Sequence, residues 1–349
     1  MLNNFEQEYG RCVSSGETAT PVNFLKTGVA GLDQFVLWQK GIPRSRITEI
    51  HGGFGSGKST LALQIVAQTQ KALPDEFVYF LDAEGRLDPD WAQRCGVNLA
   101  RLKFVDFKHG EDLLDKVTSL VGLQVPLIVI DSVAGIVPHI MKDLDKLEDV
   151  NMRTNVARSQ LLTTFCDRIA GGFSVPGDLK KSGAVTRLVH SGTALVFVNH
   201  WKERFKTQPW GPIPDGSIGG ASLRYYSTLR LAFSKQSSKH EDRGLVRIHC
   251  RKSIICPPYR SAVFSINFKS GAMCLDSDWL VKYLIARRAV VRAPKRKLRI
   301  VKGPDNIMDM QGLERDVIEY LLEDADTRLA PLMDEASRAK PDAEDNASE

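Results

Sequence analysis

Apolar runs that are continuous or nearly so alternate with helically periodic segments through the middle of the chain. Strands buried on both faces are predicted by the runs ITEIHG, FVYFLDAEG, LKFVDF, PLIVIDSVAG and TALVFVNH. The intervening segments STLALQIVAQTQKAL and DLLDKVTSLVGL have the spacing of helices. Strand alternating with helix predicts a doubly wound α/β core with a mostly parallel sheet.

The pattern changes in the last third of the chain. The segments RYYSTLRLAFS, GLVRIHCRKS and SAVFSINF predict strands that add to the sheet in antiparallel orientation, and DWLVKYLIARRAVV predicts a helix or helix–turn. A final helix is predicted by LERDVIEYLLED. We expect an N-terminal arm at 1–25, a core at 26–276, a small α/β C-terminal domain at 277–333 and a tail at 334–349. The tail carries six acidic and two basic residues, a composition that predicts disorder.

Composition and charge add only weak constraints. A chain of 349 residues with 43% hydrophobic residues can bury a sizeable core, and a net charge of +5 suits a polyanionic partner without requiring one. No cysteines form a CxxC pair, so we expect buried free thiols in a reducing cytosol. The six cysteines are Cys12, Cys95, Cys166, Cys250, Cys256 and Cys274. Because we find neither a signal peptide nor an apolar run of about 18 residues, we expect a soluble cytoplasmic protein.

A phosphate-binding motif gives the strongest chemical signal. The pattern G-x-x-x-x-G-K-S lies between the strand ITEIH and the helix TLALQIV, the context that this motif requires. Its glycines let backbone N–H groups turn towards phosphate oxygens. We expect Lys58 to reach the β and γ phosphates of a nucleotide and Ser59 to bind Mg²⁺. The predicted nucleotide contacts are Gly52, Gly53, Phe54, Gly55, Ser56, Gly57, Lys58, Ser59 and Thr60.

Carboxylates end two other predicted strands. LIVID ends on Asp131, which could hold Mg²⁺ directly or through a water molecule, or could cap a turn. FLDAEG places Asp82 and Glu84 at another strand end. We favour Glu84 as the group that orients and deprotonates the attacking water, and a structural hydrogen bond for Asp82.

Taken in order, these segments resemble the RecA-type strand-exchange recombinases. The resemblance is carried by TGVAGLDQFVLWQKGIPRSRITEIHGGFGSGKSTLALQIVAQTQ, FLDAEGRLDPDWAQRCGV, LIVIDSVAGIVP, and FVNH followed by GGASLRYYSTLRL. It covers roughly residues 25–270 and is weaker to 325. It implies a RecA-like P-loop ATPase core, an N-terminal arm that contacts the next subunit, and a helical filament with ATP between subunits.

The resemblance also implies roles for individual residues. Glu84 matches the catalytic carboxylate, and Asp88 and Trp91 match positions that contact adenine, although Trp91 could simply pack on a helix. Bacterial RecA has a γ-phosphate-sensing glutamine after the strand FVN. His200 stands there, as in phage recombinases of the UvsX type, and could either sense the γ-phosphate or be structural.

A second departure concerns two family lysines that reach the neighbouring subunit's γ-phosphate. Lys252 matches the first, whereas Ile254 occupies the position of the second and carries no charge. Arg251 could substitute, but in a strand its side chain is expected on the opposite face from Lys252.

DNA contacts are expected in two loops and one basic run. The first loop, roughly Lys142–Arg158, offers Arg153 and Arg158, with a solvated helix as the alternative. The second lies in VNHWKERFKTQPWGPIPDGSIGG, where cations can neutralise phosphates and aromatic rings can stack on bases. Eight basic residues lie between Arg287 and Lys302, either to capture duplex DNA or as a solvated ribbon. The candidates in these last two segments are Lys202, Arg204, Lys206, Trp210, Lys295, Arg296 and Lys297.

The expected function is ATP-dependent homologous pairing and strand exchange by a filament on single-stranded DNA. The expected partners are single-stranded DNA, homologous duplex DNA and further copies of the chain, with a single-strand binding protein and a loader as further candidates. The expected location is the cytoplasm of a bacterium or of a phage-infected host. Two alternatives remain open, a hexameric RecA-fold helicase and a recombination mediator that binds ATP and DNA with little turnover.

Overall fold

A computed structural model describes residues 21–141, 153–171, 187–201, 216–238, 241–286, 290–293, 297–300, 311–313 and 321. The strands are β1 Phe24–Leu25, β2 Ile42–Pro43, β3 Arg46–Gly52, β4 Val78–Asp82, β5 Leu102–Phe104, β6 Leu127–Asp131, β7 Ala194–His200, β8 Leu229–Gln236, β9 Arg243–Ser253, β10 Ser261–Asn267, β11 Met273–Leu275, β12 Val290–Ala293, β13 Lys297–Ile300 and β14 Gln311–Leu313. The α-helices are α1 Lys58–Ala72, α2 Pro89–Arg94, α3 Gly110–Gly122, α4 Arg153–Gly171, α5 Leu188–Ser191, α6 Ser222–Tyr226 and α7 Ser277–Ala286.

Within the described residues, nine strands form one sheet in the order β11-β10-β9-β8-β3-β7-β6-β4-β5. The strands from β8 to β5 in that order run parallel, and β9, β10 and β11 add antiparallel. The prediction of a mostly parallel α/β core is therefore confirmed.

One predicted element is wrong in part. Within RYYSTLRLAFS, Arg224–Tyr226 belong to helix α6, and the strand begins only at Leu229. This strand pairs in parallel with β3, not antiparallel as expected. The reason is tertiary: the connection from β7 passes over β3, and such a crossover returns the chain in the same direction.

The sheet is covered on both faces, which explains its unbroken apolar runs. In β6, Leu127 and Val129 belong to the core cluster that contains α1. Ile128 and Ile130, which alternate with them, belong to the cluster that contains α3 and α4. Successive side chains of one strand thus enter different cores, so no position of the strand favours a polar residue.

The region after the core sheet begins with helix α7, whose Leu280, Val281 and Leu284 are buried in the α1-side cluster. The strands β12, β13 and β14 form a separate antiparallel sheet of three strands, and the basic run supplies the first two. Of the predicted final helix the structure describes two residues: Leu313, which instead ends strand β14, and Leu321, a buried helical residue. The domain boundaries remain a proposal, and residues 1–20 and the acidic tail lie outside the described residues.

Two further sequence expectations concern cysteines and membranes. Cys95, Cys166, Cys250 and Cys256 are buried free thiols as expected, but Cys274 is exposed because it faces outward on the edge strand β11. Among the described residues, no helix combines the length and apolarity needed to cross a membrane.

Candidate functional site

The phosphate motif forms the turn between β3 and α1. Gly57 is the N-cap of α1 with φ of +83°, a left-handed conformation that glycine adopts without strain, and no side chain caps the helix. The first N–H groups of α1 therefore remain available to an anion. Gly52 is required by close packing, because a Cβ there would lie 2.4 Å from the carbonyl oxygen of Phe233.

Lys58 is buried beneath this turn. Its Nζ donates a hydrogen bond to the carbonyl oxygen of Gly53 at 2.8 Å, which holds the ammonium group inside the loop. Burial lowers the pKa of Lys58, and the nearby charges of Asp131 and Glu84 oppose that shift. A buried cation under a ring of N–H groups is suited to a phosphate oxygen.

Asp131 ends β6 beside the first turn of α1, and its carboxylate is hydrogen-bonded to Ser59. Burial raises the pKa of Asp131; the Ser59 hydrogen bond lowers it, and the charges of Glu84 and Asp82 raise it further. A hydroxyl and a carboxylate are hard oxygen ligands of the kind that Mg²⁺ prefers, so the donor set fits the predicted metal.

Asp82 lies opposite Asp131 in the register of β4 and β6. Its two carboxylate oxygens accept hydrogen bonds from the backbone N–H groups of Glu84 and Leu87, at 3.2 and 2.8 Å. These contacts agree with the structural role preferred for Asp82, because they fix the turn that carries Glu84.

Glu84 is held by three side chains from different segments. Ser132 Oγ donates to Oε1, His200 Nε2 lies 3.1 Å from the same oxygen, and Arg86 Nη1 lies 3.0 Å from Oε2. Burial alone would raise the pKa of Glu84, but the hydrogen bonds from Ser132 and His200 and the charges of His200 and Arg86 lower it overall. Glu84 is therefore an ionised carboxylate at neutral pH, held in one orientation.

A cleft of about 370 Å³ joins these groups and extends along α2. Its lining is formed by Phe54, Gly55, Ser56, Gly57, Lys58, Ser59, Thr60, Leu63, Phe80, Asp82, Glu84, Arg86, Leu87, Asp88, Trp91, Asp131, His200, Ile266 and Phe268. Asp88 caps α2 by accepting the N–H of Asp90 at 2.9 Å. Trp91 is half-buried: it packs against the core cluster that contains α1 and also lines the cleft.

The second predicted DNA loop begins and ends at the bridged pair Trp201 and Ser217, which we call the root of the loop. This root lies against the phosphate turn. Trp201 forms an antiparallel bridge with Ser217 and donates its backbone N–H to the carbonyl oxygen of Gly52 at 3.2 Å. Its indole Nε1 donates to His51 Nδ1 at 2.9 Å. Sequence reasoning gave no role to His51 or Trp201, because their hydrogen bond joins residues that stand 150 apart in the chain.

A buried polar cluster lies next to the root of this loop. Arg230 Nε lies 2.5 Å from Glu49 Oε2, and their side chains are only 3% and 0% exposed. Asn199 Nδ2 donates to the other oxygen of Glu49 at 2.8 Å and to the carbonyl oxygen of Ile218 at 2.9 Å. The cluster thus joins β3, β7 and β8 to the far end of the loop, and no local pattern in the sequence indicates it.

Lys252 lies away from the cleft of its own chain. Its Nζ donates to the carbonyl oxygens of Arg224 and Tyr225, at 2.9 and 2.6 Å. The β8–β9 pairing is irregular between Leu231–Cys250 and Arg230–Lys252, so Arg251 is an extra residue at a bulge. Ile254 is 76% exposed.

The structure describes few of the predicted DNA contacts. Arg158 Nε donates to the carbonyl oxygen of Ile136 at 2.8 Å, which gives this side chain a structural partner. Arg153 begins α4 and Lys297 begins β13, but their side chains are outside the described part of the chain. The remaining candidates, Lys202, Arg204, Lys206, Trp210, Lys295 and Arg296, also lie outside it.

Comparison with known proteins agrees with this geometry. The family described as the RecA N-terminal domain matches residues 1–170. Protein RecA of Nitratidesulfovibrio vulgaris is 33% identical over 280 residues, or 77% of this chain and 71% of that protein. Protein RecA of Oleidesulfovibrio alaskensis is 32% identical over 338 residues, or 92% of this chain and 90% of that protein. The mitochondrial DNA repair protein recA homolog of Dictyostelium discoideum is 30% identical over 280 residues, 78% of this chain and 57% of that protein.

The identity thus extends well beyond the phosphate motif and spans most of both proteins in two of these relatives. The chain belongs to the RecA family of DNA recombinases, which act in recombination and repair.

Proposed function

We propose that this recombinase is a DNA-dependent ATPase that assembles as a helical filament on single-stranded DNA and pairs it with homologous duplex. One observation carries the proposal: His200, 3.1 Å from Glu84, is followed directly by the root of the second DNA loop. A single strand end therefore touches the nucleotide cleft and anchors the DNA loop.

The phosphate turn is assigned to ATP. Residues 52–60 hold the phosphates, and Lys58 neutralises the β and γ oxygens. Asp88 and Trp91 contact the adenine, with the indole ring stacked on the base. Ser59 and Asp131 would hold Mg²⁺, which when bound supplies further positive charge to the phosphates.

Glu84 orients the attacking water and accepts its proton. The carboxylate is ionised and fixed by Ser132, His200 and Arg86, so it is ready to act as a general base. His200 is assigned as the γ-phosphate sensor, since an imidazole that reaches Glu84 also lies at the γ-phosphate end of the cleft.

Lys252 is assigned to the nucleotide of the neighbouring subunit in the filament. Ile254 cannot provide the second cation found in the family, and Arg251 is an exposed cation at the bulge beside the half-buried Lys252. We therefore assign the trans contact to Lys252, with Arg251 as the candidate for the second cation.

DNA is assigned to the two loops and the basic run. Arg153 and Arg158 serve the first loop. Lys202, Arg204, Lys206 and Trp210 serve the second, where cations neutralise phosphates and the indole stacks on a base. Lys295, Arg296 and Lys297 capture duplex, in the cytoplasm of a bacterium or a phage-infected host.

Electron microscopy of the full chain with single-stranded DNA and a slowly hydrolysed ATP analogue tests this function. We expect long helical filaments that require both ligands, together with strand exchange in a joint-molecule assay. Closed rings with directional unwinding would instead support a helicase. Filaments that never pair homologous duplex would support a mediator.

Trp201→Phe removes the hydrogen bond to His51 while keeping an aromatic ring. We expect ATP affinity to stay near the wild-type value and the stimulation of ATP hydrolysis by saturating single-stranded DNA to fall several-fold. The reason is that Trp201, at the root of the loop, would lose its side-chain hydrogen bond to His51 in β3, the strand that leads into the phosphate turn. Steady-state hydrolysis with and without DNA measures the effect, and a net hydrogen-bond loss of about 1 kcal/mol leaves the fold intact.

Two variants control this experiment. Trp210→Ala is expected to weaken DNA binding itself, so its defect appears in the DNA concentration needed for stimulation. In the double variant His51→Leu/Trp201→Phe, the defect should be no larger than in Trp201→Phe alone, because both changes remove one shared contact. If DNA stimulates ATP hydrolysis in Trp201→Phe as strongly as in the wild type, this hydrogen bond does not couple DNA binding to hydrolysis.

A further inference from the structure

Two cysteine side chains lie on the turn where β9 ends. Cys250 is fully buried in β9, and Cys256, 8% exposed, lies in the turn that leads to β10. Both are free thiols. The Cys250 sulfur lies 3.7 Å from the carbonyl oxygen of Lys252 and the Cys256 sulfur lies 3.1 Å from Ser253 Oγ, so the two sulfurs pack against consecutive residues of one turn. Two thiols that pack against the same short turn need little backbone movement to form a disulfide.

Polar and charged groups surround Cys256. Ser253 Oγ lies 3.1 Å from its sulfur and also accepts the backbone N–H groups of Ile255 and Cys256. Lys40 donates its ammonium group to the carbonyl oxygen of Ile255. The guanidinium of Arg260 lies over the rings of Phe35 and Trp38, 4.6 and 4.4 Å from their centres. These contacts hold a second cation close enough to Cys256 to affect its charge.

These surroundings distinguish the two thiols from each other and from other buried cysteines. The hydrogen bond from Cys250 lowers the pKa of Cys256; burial opposes this, and Ser253, Lys40 and Arg260 lower it further. The same hydrogen bond and burial raise the pKa of Cys250. Burial alone raises the pKa of Cys95 to about 11. Cys256 thus has the thiolate character of a reactive cysteine, whereas Cys95 is inert.

We propose that Cys250 and Cys256 are an oxidation-sensitive pair that forms a reversible disulfide in response to small hydroperoxides. The position of both sulfurs against Lys252 and Ser253 of one short turn, together with the cation beside Cys256, carries this assignment. Disulfides in reducing compartments are usually transient and redox-sensing, which suits a pair of thiols rather than a permanent bridge.

The reaction balances in two steps. The Cys256 thiolate attacks one oxygen of the hydroperoxide; a sulfur–oxygen bond forms, the oxygen–oxygen bond breaks, and the leaving oxygen takes up a proton as water or an alcohol. The Cys250 sulfur then attacks the Cys256 sulfenic acid, a sulfur–sulfur bond forms, and hydroxide leaves with the Cys250 proton as water. The two thiols lose two electrons to the peroxide, and an external thiol reverses the process.

The pair lies next to Lys252. The Cys250 sulfur is 3.7 Å from the carbonyl oxygen of Lys252, and the turn from Cys250 to Cys256 carries both Lys252 and Ile254. A disulfide closes this turn and fixes the backbone on either side of Lys252. If Lys252 acts in trans as proposed above, oxidation lowers DNA-dependent ATP hydrolysis of the filament.

Peptide mapping tests the disulfide without relying on that function. The full chain is treated with hydrogen peroxide, alkylated under denaturing conditions and digested with trypsin, which cuts after Arg247, Arg251, Lys252 and Arg260. We expect a disulfide-linked pair of peptides, IHCR and SIICPPYR, that disappears after reduction with dithiothreitol. Alkylation of both cysteines at the untreated level overturns the proposal.

Variants sharpen the result. Cys250→Ser should accumulate oxidised Cys256 without a cross-link, whereas Cys274→Ser, at an exposed thiol, should cross-link like the wild type. Equal oxidation of Cys95 and Cys256 would contradict the assignment of a special pair. A cross-link that leaves ATP hydrolysis unchanged would confirm the disulfide and instead contradict the trans role of Lys252.

Discussion

Glu84→Gln is expected to lower single-stranded-DNA-dependent ATP hydrolysis by about 10²–10⁴-fold, the range for loss of a general base. Glutamine has nearly the same shape and can still accept hydrogen bonds from Ser132 and His200. It cannot accept the proton of the attacking water, because it has no ionised carboxylate. ATP binding and homologous pairing should be retained, while release from DNA slows. Rapid-quench hydrolysis and a joint-molecule assay measure these quantities separately.

Asp82→Asn provides the matched control. Asp82 lies in the same cleft, but its oxygens accept backbone N–H groups, so this change should affect the turn more than the chemical step. ATP turnover in Asp82→Asn should therefore exceed that in Glu84→Gln. Normal turnover in Glu84→Gln would remove Glu84 from its assigned role.

Arg230→Met is expected to lower the free energy of unfolding by about 3–5 kcal/mol, the range for removing one partner of a buried ion pair. Methionine keeps much of the side-chain length but leaves the carboxylate of Glu49 without its cation in a fully buried position. Asn199 cannot replace that charge. Urea denaturation followed by a fluorescence or circular-dichroism signal gives the value.

The double variant Glu49→Gln/Arg230→Met separates the ion pair from simple packing. Neither buried charge then remains uncompensated, so much of the lost stability should return. Equal instability of the single and double variants would show that the loss comes from packing. A change below about 1 kcal/mol in the single variant would contradict the role given to the pair.

The sequence predicts the central strands well because both faces of the sheet are covered, and continuous apolar runs are then required. It fails for the segment before Leu229. Tyr225 and Tyr226 have the composition of a strand, but the chain needs a helical turn there before it enters the sheet beside β3. Crossover geometry is a property of the whole sheet and leaves no local pattern.

The residues of the candidate site also differ in whether local sequence can predict them. Lys58, Ser59 and Glu84 could be named because local motifs position them. Glu49 and Arg230 are 181 residues apart, and their pairing exists only once β3 and β8 are neighbours. The position of Ser132 directly after the predicted metal ligand Asp131 indicates no role for it, because its partner Glu84 comes from another strand end.

We propose above that His200 links the nucleotide cleft to the DNA loop. Linkage requires that the γ-phosphate and DNA strengthen each other's binding by the same factor, typically about 5–150-fold. The decisive measurement is the affinity for single-stranded DNA with a slowly hydrolysed ATP analogue and with ADP, in the wild type and in His200→Ala. We predict a clear preference for the ATP analogue state in the wild type. We predict that His200→Ala binds both nucleotides and DNA but loses that preference. If His200→Ala keeps the wild-type ratio of the two affinities, His200 does not link the nucleotide cleft to the DNA loop.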